Sequence, residues 1–148
     1  MQRHIKNDLL HLLGILESVG KIGIYTATCF SPDDFYFLND QLNFNASLNL
    51  MAHIGECSNK ISDELKAKYG AASWKQVKDF RNRVVHDYAG LNIYIVFDII
   101  KQELPLLQEQ IGQIIATELH LSTFDIEEFN VAKSSSYYSH VDFNRILR

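Results

Sequence analysis

The chain has 148 residues, 47% hydrophobic and 22% charged, with two Pro and seven Gly: room for one core, and a composition that excludes general disorder. A net charge of −4 and a sequence pI of about 5.8 argue against a high-affinity coat for nucleic acid, whose binders are usually basic. No uncharged apolar run reaches the roughly 18–20 residues of a membrane span and nothing resembles a secretory leader. Cys29 and Cys57 have no metal-type spacing, so a cytoplasmic protein with two reduced, packed thiols is expected.

In chain order, Ile5, Leu9, Leu12 or Leu13, Leu16 and Val19 step at three and four, which predicts an amphipathic helix from Ile5 to about Thr26. Ser31-Pro32-Asp33-Asp34 is a helix start: an N-cap, a proline at the first position and acids in the first turn. The second helical region runs from there to about Tyr69, with a break expected near Asn43–Asn49. Its later half carries the stripe Leu50, Ile54, Cys57, Ile61 and Leu65, and Gly70 closes it. Ser73 is a candidate N-cap for a third helix that ends by Gly90. Asn92 starts a fourth, stepping through Ile93, Val96, Ile100, Leu104, Leu107, Ile111 and Ile114, with Pro105 expected to kink it.

Four long helices with short links predict an all-α fold, an up-and-down four-helix bundle over residues 1–120. Residues 121–148 read as a C-terminal extension. Ser134-Ser135-Ser136-Tyr137-Tyr138-Ser139 lacks periodicity, although Phe124, Ile126, Phe129, Val141, Phe143 and Ile146 are apolar. The extension is expected to be partly ordered, packed on the bundle or docked on a partner.

The third helix holds the stretch with chemistry, Arg81-Asn82-Arg83-Val84-Val85-His86-Asp87-Tyr88. Trp74, Val77, Phe80, Val84, Val85 and Tyr88 share one broad apolar side, and Arg81 falls in the middle of it. A guanidinium there is costly unless an anion meets it. Asn82 and His86, four apart, sit together beyond the apolar edge. Arg81 and His86, five apart, diverge by roughly 140°. They converge on one small ligand only if the helix ends between them or a symmetry mate supplies the other half. Lys75, Lys78, Arg81 and Arg83 against Asp79 and Asp87 make this stretch locally basic.

Arg, a polar residue, three positions, His, any residue, Tyr resembles the signature of HEPN-superfamily ribonucleases. The tyrosine two positions after the histidine is similar to that of HepT-type toxins from HEPN/MNT toxin–antitoxin pairs. "NLMAHIGECSNKIS" upstream, Trp74 seven residues before Arg81, and "VFDIIKQELPLLQEQI" downstream fit the same pattern. The resemblance runs from about Ile5 to Thr117 and makes residues 1–120 a HepT-like domain.

The resemblance implies a metal-independent endoribonuclease toxin without cofactor, acting as a homodimer with a composite active site. Its RNA substrate would be tRNA, cut by 2′-hydroxyl attack. His86 would move the proton, Arg81 would stabilise charge on the phosphate, and Asn82 would support both. Tyr88 would be partly exposed and would receive AMP from a cognate MNT-type nucleotidyltransferase antitoxin. Arg83 and Lys78, otherwise ordinary solvated charges, would steer phosphate. Glu56, the nearest candidate for a buried acid on the second helix, would orient or neutralise Arg81.

Each residue also has a plainer reading. Arg81 could pair structurally with Glu56, His86 could be a helix-end histidine, and Tyr88 could be core. His53 and Glu56 have a metal-ligand spacing with no further ligand evident, so no metal site is expected. The competing function is a non-catalytic helical adaptor that dimerises and serves a separate nucleotidyltransferase. The acidic pI favours the adaptor; the complete motif favours the enzyme.

Overall fold

Residues 4–86 and 92–146 are described by the computed structural model; of Arg81 and residues 83–86 it describes the backbone. The first helical run is interrupted at Asp8, where a 3-10 turn (Ile5–Asn7) precedes α1 (Leu9–Tyr25). The Asp8 carboxylate serves a distant segment instead. The Ser62 backbone N–H donates to its Oδ1 at 2.9 Å and the Ser62 hydroxyl to its Oδ2 at 2.5 Å. Burial pushes the Asp8 carboxyl pKa up, against those two donors.

Ser31 starts α2 (Pro32–Phe37) as its sequence predicts: the Asp34 N–H donates to Ser31 Oγ at 3.1 Å. The break expected near Asn43–Asn49 lies earlier. Asn39, Asp40 and Gln41 take φ values of 50, 55 and 69°, three left-handed residues in succession. Beyond them α3 (Leu42–Lys60) runs unbroken through the asparagines. Asn43 accepts from Asn39 Nδ2 at 2.9 Å and donates to the Tyr25 carbonyl at 2.9 Å. An asparagine so occupied does not compete for its own backbone. The second region breaks again where Ile61 turns extended and Ser62 caps α4 (Asp63–Lys68), its Oγ accepting from the Leu65 N–H at 3.2 Å. The apolar stripe survives that corner, since Ile54, Cys57, Ile61 and Leu65 are all buried.

The third and fourth regions give α5 (Trp74–His86) and α6 (Ile93–Asp98), the latter capped by Asn92 Oδ1, which accepts from the Tyr94 N–H at 2.9 Å. Pro105 produces no simple kink. A π-helical turn (Ile99–Glu103) precedes α7 (Leu104–His120), and the Leu104 N–H bonds the Ile99 carbonyl five residues back. The wider turn absorbs the ring and the missing donor just before they are met.

The described residues contain helices and no strand, and the bundle is all-α as expected. α3 lies between α1 and α5, while α1 also packs on α7. Leu9, Leu12, Leu13 and Ile15 of α1 meet Leu48 and Ile54 of α3 and Ile111 and Ile115 of α7 in the core. At one end Phe35 of α2 fills the gap between Phe44 and Phe97, with ring centroids 5.3 and 6.0 Å away.

Residues 121–146 form α8 (Ile126–Lys133), a 3-10 turn (Ser136–Tyr138) and α9 (Phe143–Ile146). Phe124, Phe129, Phe143 and Ile146 are buried, and α9 packs on α7. Glu17 of α1 fastens this segment: the His140 N–H donates to its Oε1 at 2.7 Å, and His140 Nδ1 lies 2.8 Å from its Oε2. Gly20, one turn on, lets the chain close in, since a Cβ there would lie 2.3 Å from the His140 carbonyl oxygen. No helix among the described residues is long and apolar enough to cross a membrane.

Candidate functional site

α5 is held at its start by side chains from two neighbours. The Trp74 indole N–H donates to the Tyr69 carbonyl at 3.0 Å, and Ser73 N–H and Oγ both reach Gln110 Oε1 of α7, at 3.2 and 3.1 Å. Val77 and Phe80 are buried against the bundle, whereas Lys75, Lys78, Asp79 and Asn82 are exposed. The core-facing side is therefore the one its apolar spacing predicts.

Tyr69 is itself anchored by a buried carboxylate. Glu118 of α7 accepts from the Tyr69 hydroxyl at 2.5 Å and from Lys68 Nζ at 2.7 Å, both on Oε2. Burial and the Glu118 carboxylate push the Tyr69 pKa up to about 12. Burial alone would raise the Glu118 pKa, but the Lys68 and Tyr69 donors outweigh it and hold the carboxyl below its ordinary value. The chain Glu118–Tyr69–Trp74 fixes the angle at which α5 leaves the preceding turn.

α5 continues without a break from Trp74 through His86. Positions 81 and 86 thus remain on one helix, roughly 140° apart. Position 81 follows buried Val77 by one turn, and position 86 follows exposed Asn82 by one turn. The structure brings Lys78 and Asn82 onto the open side of α5, with Arg83 on the same helix. Tyr88 lies outside the described residues.

Glu56 corrects the sequence expectation. It is exposed on α3 and is no buried acid. Among the described residues the buried acids are Asp8, Glu17 and Glu118, each engaged by donors far away in sequence. Glu17 carried one signal: it stands four residues after buried Leu13 and three before Gly20, on a side of α1 built for packing. His53 Nε2 lies 3.5 Å from Cys57 Sγ on the same helix, an arrangement its i,i+4 spacing allows. Burial raises the Cys57 thiol pKa, so this pair does not make a ready nucleophile. Among the described residues no three His, Cys, Asp or Glu side chains converge as metal ligands.

An all-α bundle presenting Arg-Asn-x3-His on one continuous helix defines the class, a HEPN-type ribonuclease. Residues 15–114 match the family described as Ribonuclease HepT-like, and the chain belongs to that family. A protein of Caldanaerobacter subterraneus subsp. tengcongensis, provisionally named an RNase, is 28% identical over 82 residues, 55% of this chain and 73% of the relative. A protein of Methanocaldococcus jannaschii, named as a gamma-glutamylcyclotransferase and provisional RNase, is 30% identical over 118 residues. That match covers 78% of this chain and 49% of the relative, so the chain spans about half of it. The "Probable ribonuclease HepT" of Thermococcus cleftensis is 25% identical over 99 residues, 66% of this chain and 86% of the relative. No solved structure matches.

Proposed function

We propose that this ribonuclease is a metal-independent endoribonuclease toxin that cuts tRNA in the cytoplasm as a homodimer. The observation that carries the reading is α5 itself, which runs unbroken from Trp74 to His86 inside the matched family segment. Its sequence holds Arg81, Asn82 and His86 in the family order, with Tyr88 two positions on. A ribose 2′-hydroxyl attacks the adjacent phosphate, the 5′-oxygen leaves, and a 2′,3′-cyclic phosphate remains. His86 moves the proton, because an imidazole titrates near neutrality. Arg81 stabilises the charge that builds on the phosphate oxygens, Asn82 supports both groups, and Lys78 and Arg83 steer the backbone. Glu56, exposed on α3, orients or neutralises Arg81. DNA, which lacks the 2′-hydroxyl, is inert.

With the helix continuous between them, positions 81 and 86 lie roughly 140° apart around its axis, which supports a cleft shared across a two-fold axis. A cognate nucleotidyltransferase antitoxin transfers AMP from a nucleoside triphosphate to the Tyr88 hydroxyl, releasing pyrophosphate. The added anion competes with the substrate phosphate for the same cations. The net charge of −4 is the one observation that favours the adaptor reading instead. Purified tRNA incubated with chelator separates the two. Wild-type protein is expected to leave cyclic-phosphate ends and His86→Ala to leave tRNA intact. Intact tRNA with an unmodified wild-type chain, confirmed by mass, counts for the adaptor.

A further inference from the structure

Beside the Glu118–Tyr69–Lys68 cluster lies a cavity of about 620 Å³. Its walls are His4 and Lys6 at the start of the chain, Glu64 and Lys68 of α4, Glu118 of α7 and Thr123 of the turn that follows. It lies at the end of the bundle where α5 begins, since Tyr69, bonded to Glu118, also holds the Trp74 indole. Position 86 is twelve residues further along α5, about 18 Å along the axis, so the cavity is separate from the motif. Glu118 is 0% exposed, and its two carboxylate oxygens are not alike. Oε2 takes both the Lys68 and the Tyr69 donors, while Oε1 accepts from no group. Thr123 helps to hold the carboxyl pKa down, yet it closes no hydrogen bond to Oε1. A buried, ionised oxygen without a donor is costly.

Rotation does not relieve that oxygen. Turning the carboxylate breaks the Lys68 and Tyr69 bonds, and the backbone is fixed as well. The Glu118 carbonyl accepts from the Thr123 and Phe124 N–H groups at 2.9 and 3.1 Å, across a turn whose Ser122 is left-handed at φ 61°. What Oε1 lacks is therefore a donor brought from outside. A bare cation suits it poorly, because the Lys68 ammonium already sits on the other oxygen of the same carboxylate. Lys6 and Glu64 are exposed and enter no ion pair among the described residues. The walls thus hold two ammonium groups and two carboxylates. A ligand of one charge leaves half of these unmatched, whereas a zwitterion matches both signs. The volume is that of a small-molecule site.

We infer that this cavity binds a free amino acid, whose ammonium group donates to Glu118 Oε1 and whose carboxylate meets Lys6. Thr123, which closes no bond to Oε1, is the side chain that gives way to admit it. The test uses the full chain without RNA, melted in the presence of each protein amino acid in turn at about 10 mM. At least one is expected to raise Tm by about 2 °C or more, in a saturable way. For that amino acid, Glu118→Gln and Lys6→Ala are each expected to raise Kd about 10-fold. Lys6→Ala is expected to melt with the wild type when no ligand is present, so its loss of binding is read free of any folding defect in Glu118→Gln. The same carbon skeleton without its amino group, and the amine without its carboxylate, are each expected to bind at least about 10-fold more weakly. No amino acid that shifts the melt, a shift that Lys6→Ala retains in full, or an amine that binds as tightly as its amino acid overturns the inference.

Discussion

Positions 81 and 86 lie on one unbroken helix, separated by five residues and roughly 140° of rotation. The side of α5 that holds position 81 is the side of buried Val77; the side that holds position 86 is that of exposed Asn82. The two positions therefore lie on different sides of one helix. This relationship makes a second copy part of the chemistry in the proposed function.

Tyr88→Phe separates catalysis from its control. The variant is expected to cut tRNA at a rate within about 2-fold of wild type, since the hydroxyl has no part in moving the proton. Incubated with the partner nucleotidyltransferase and nucleoside triphosphate, it is expected to gain no AMP by intact mass and to stay active. Silencing equal to that of the wild type would place the modification elsewhere.

The Glu118–Tyr69–Lys68 cluster predicts a two-sided pH profile of stability. The Glu118 carboxyl is held below its ordinary value of 4.5, so its contribution is complete above that pH and is lost as pH falls below it. The Tyr69 hydroxyl is held up at about 12 against an ordinary 10.0, so its contribution is complete below pH 10 and is lost as pH rises toward 12. Thermal melts of Glu118→Gln should lose the acid limb, and those of Tyr69→Phe the alkaline limb. Unchanged limbs in both variants would mean that the cluster does not govern either edge.

Gly20→Ala tests the seat of the C-terminal segment. The new Cβ meets the His140 carbonyl oxygen at 2.3 Å, and that oxygen is backbone, so the segment itself has to move. A loss of about 1–3 kcal/mol is expected, with faster amide exchange over residues 134–142 and little change in the rest of the bundle. Gly23→Ala is the control, because a Cβ there meets nothing within 4 Å.

Asp8→Ala removes the acceptor of two Ser62 donors at a buried corner. Leaving that N–H without a partner is expected to cost about 1–3 kcal/mol, or about 3 °C of Tm per kcal/mol at this chain length. A variant that melts with the wild type would show that water replaces the carboxylate.

Local signals in the sequence located what local physics decides. Ser31-Pro32-Asp33-Asp34 starts α2, Asn92 caps α6, and Ile54, Cys57, Ile61 and Leu65 mark a buried stripe that crosses a helix break intact. The features that escaped reading depend on residues distant in the chain. The left-handed corner at Asn39–Gln41 is held by Asn43 and the end of α1, so the asparagines that looked like a break stabilise one placed earlier. Asp8, Glu17 and Glu118 are buried only because Ser62, His140 and Lys68 meet them across 54, 123 and 50 residues. Pro105 predicted a disturbance but not its form, since the π turn lies ahead of the ring. At the site, the helix was legible from spacing, whereas the exposure of Glu56 was not, because the stripe of α3 gives no phase for a residue at its edge.

Subunit complementation tests the shared site most directly. Arg81→Ala and His86→Ala are each expected to leave tRNA uncut. Mixed one to one and allowed to exchange, half of the dimers combine one chain of each kind. Each of those holds one site with both an intact Arg81 and an intact His86, so the mixture should recover about a quarter of wild-type activity. A mixture that exchanges subunits, as shown by mass, yet remains inactive would contradict a cleft built from two chains.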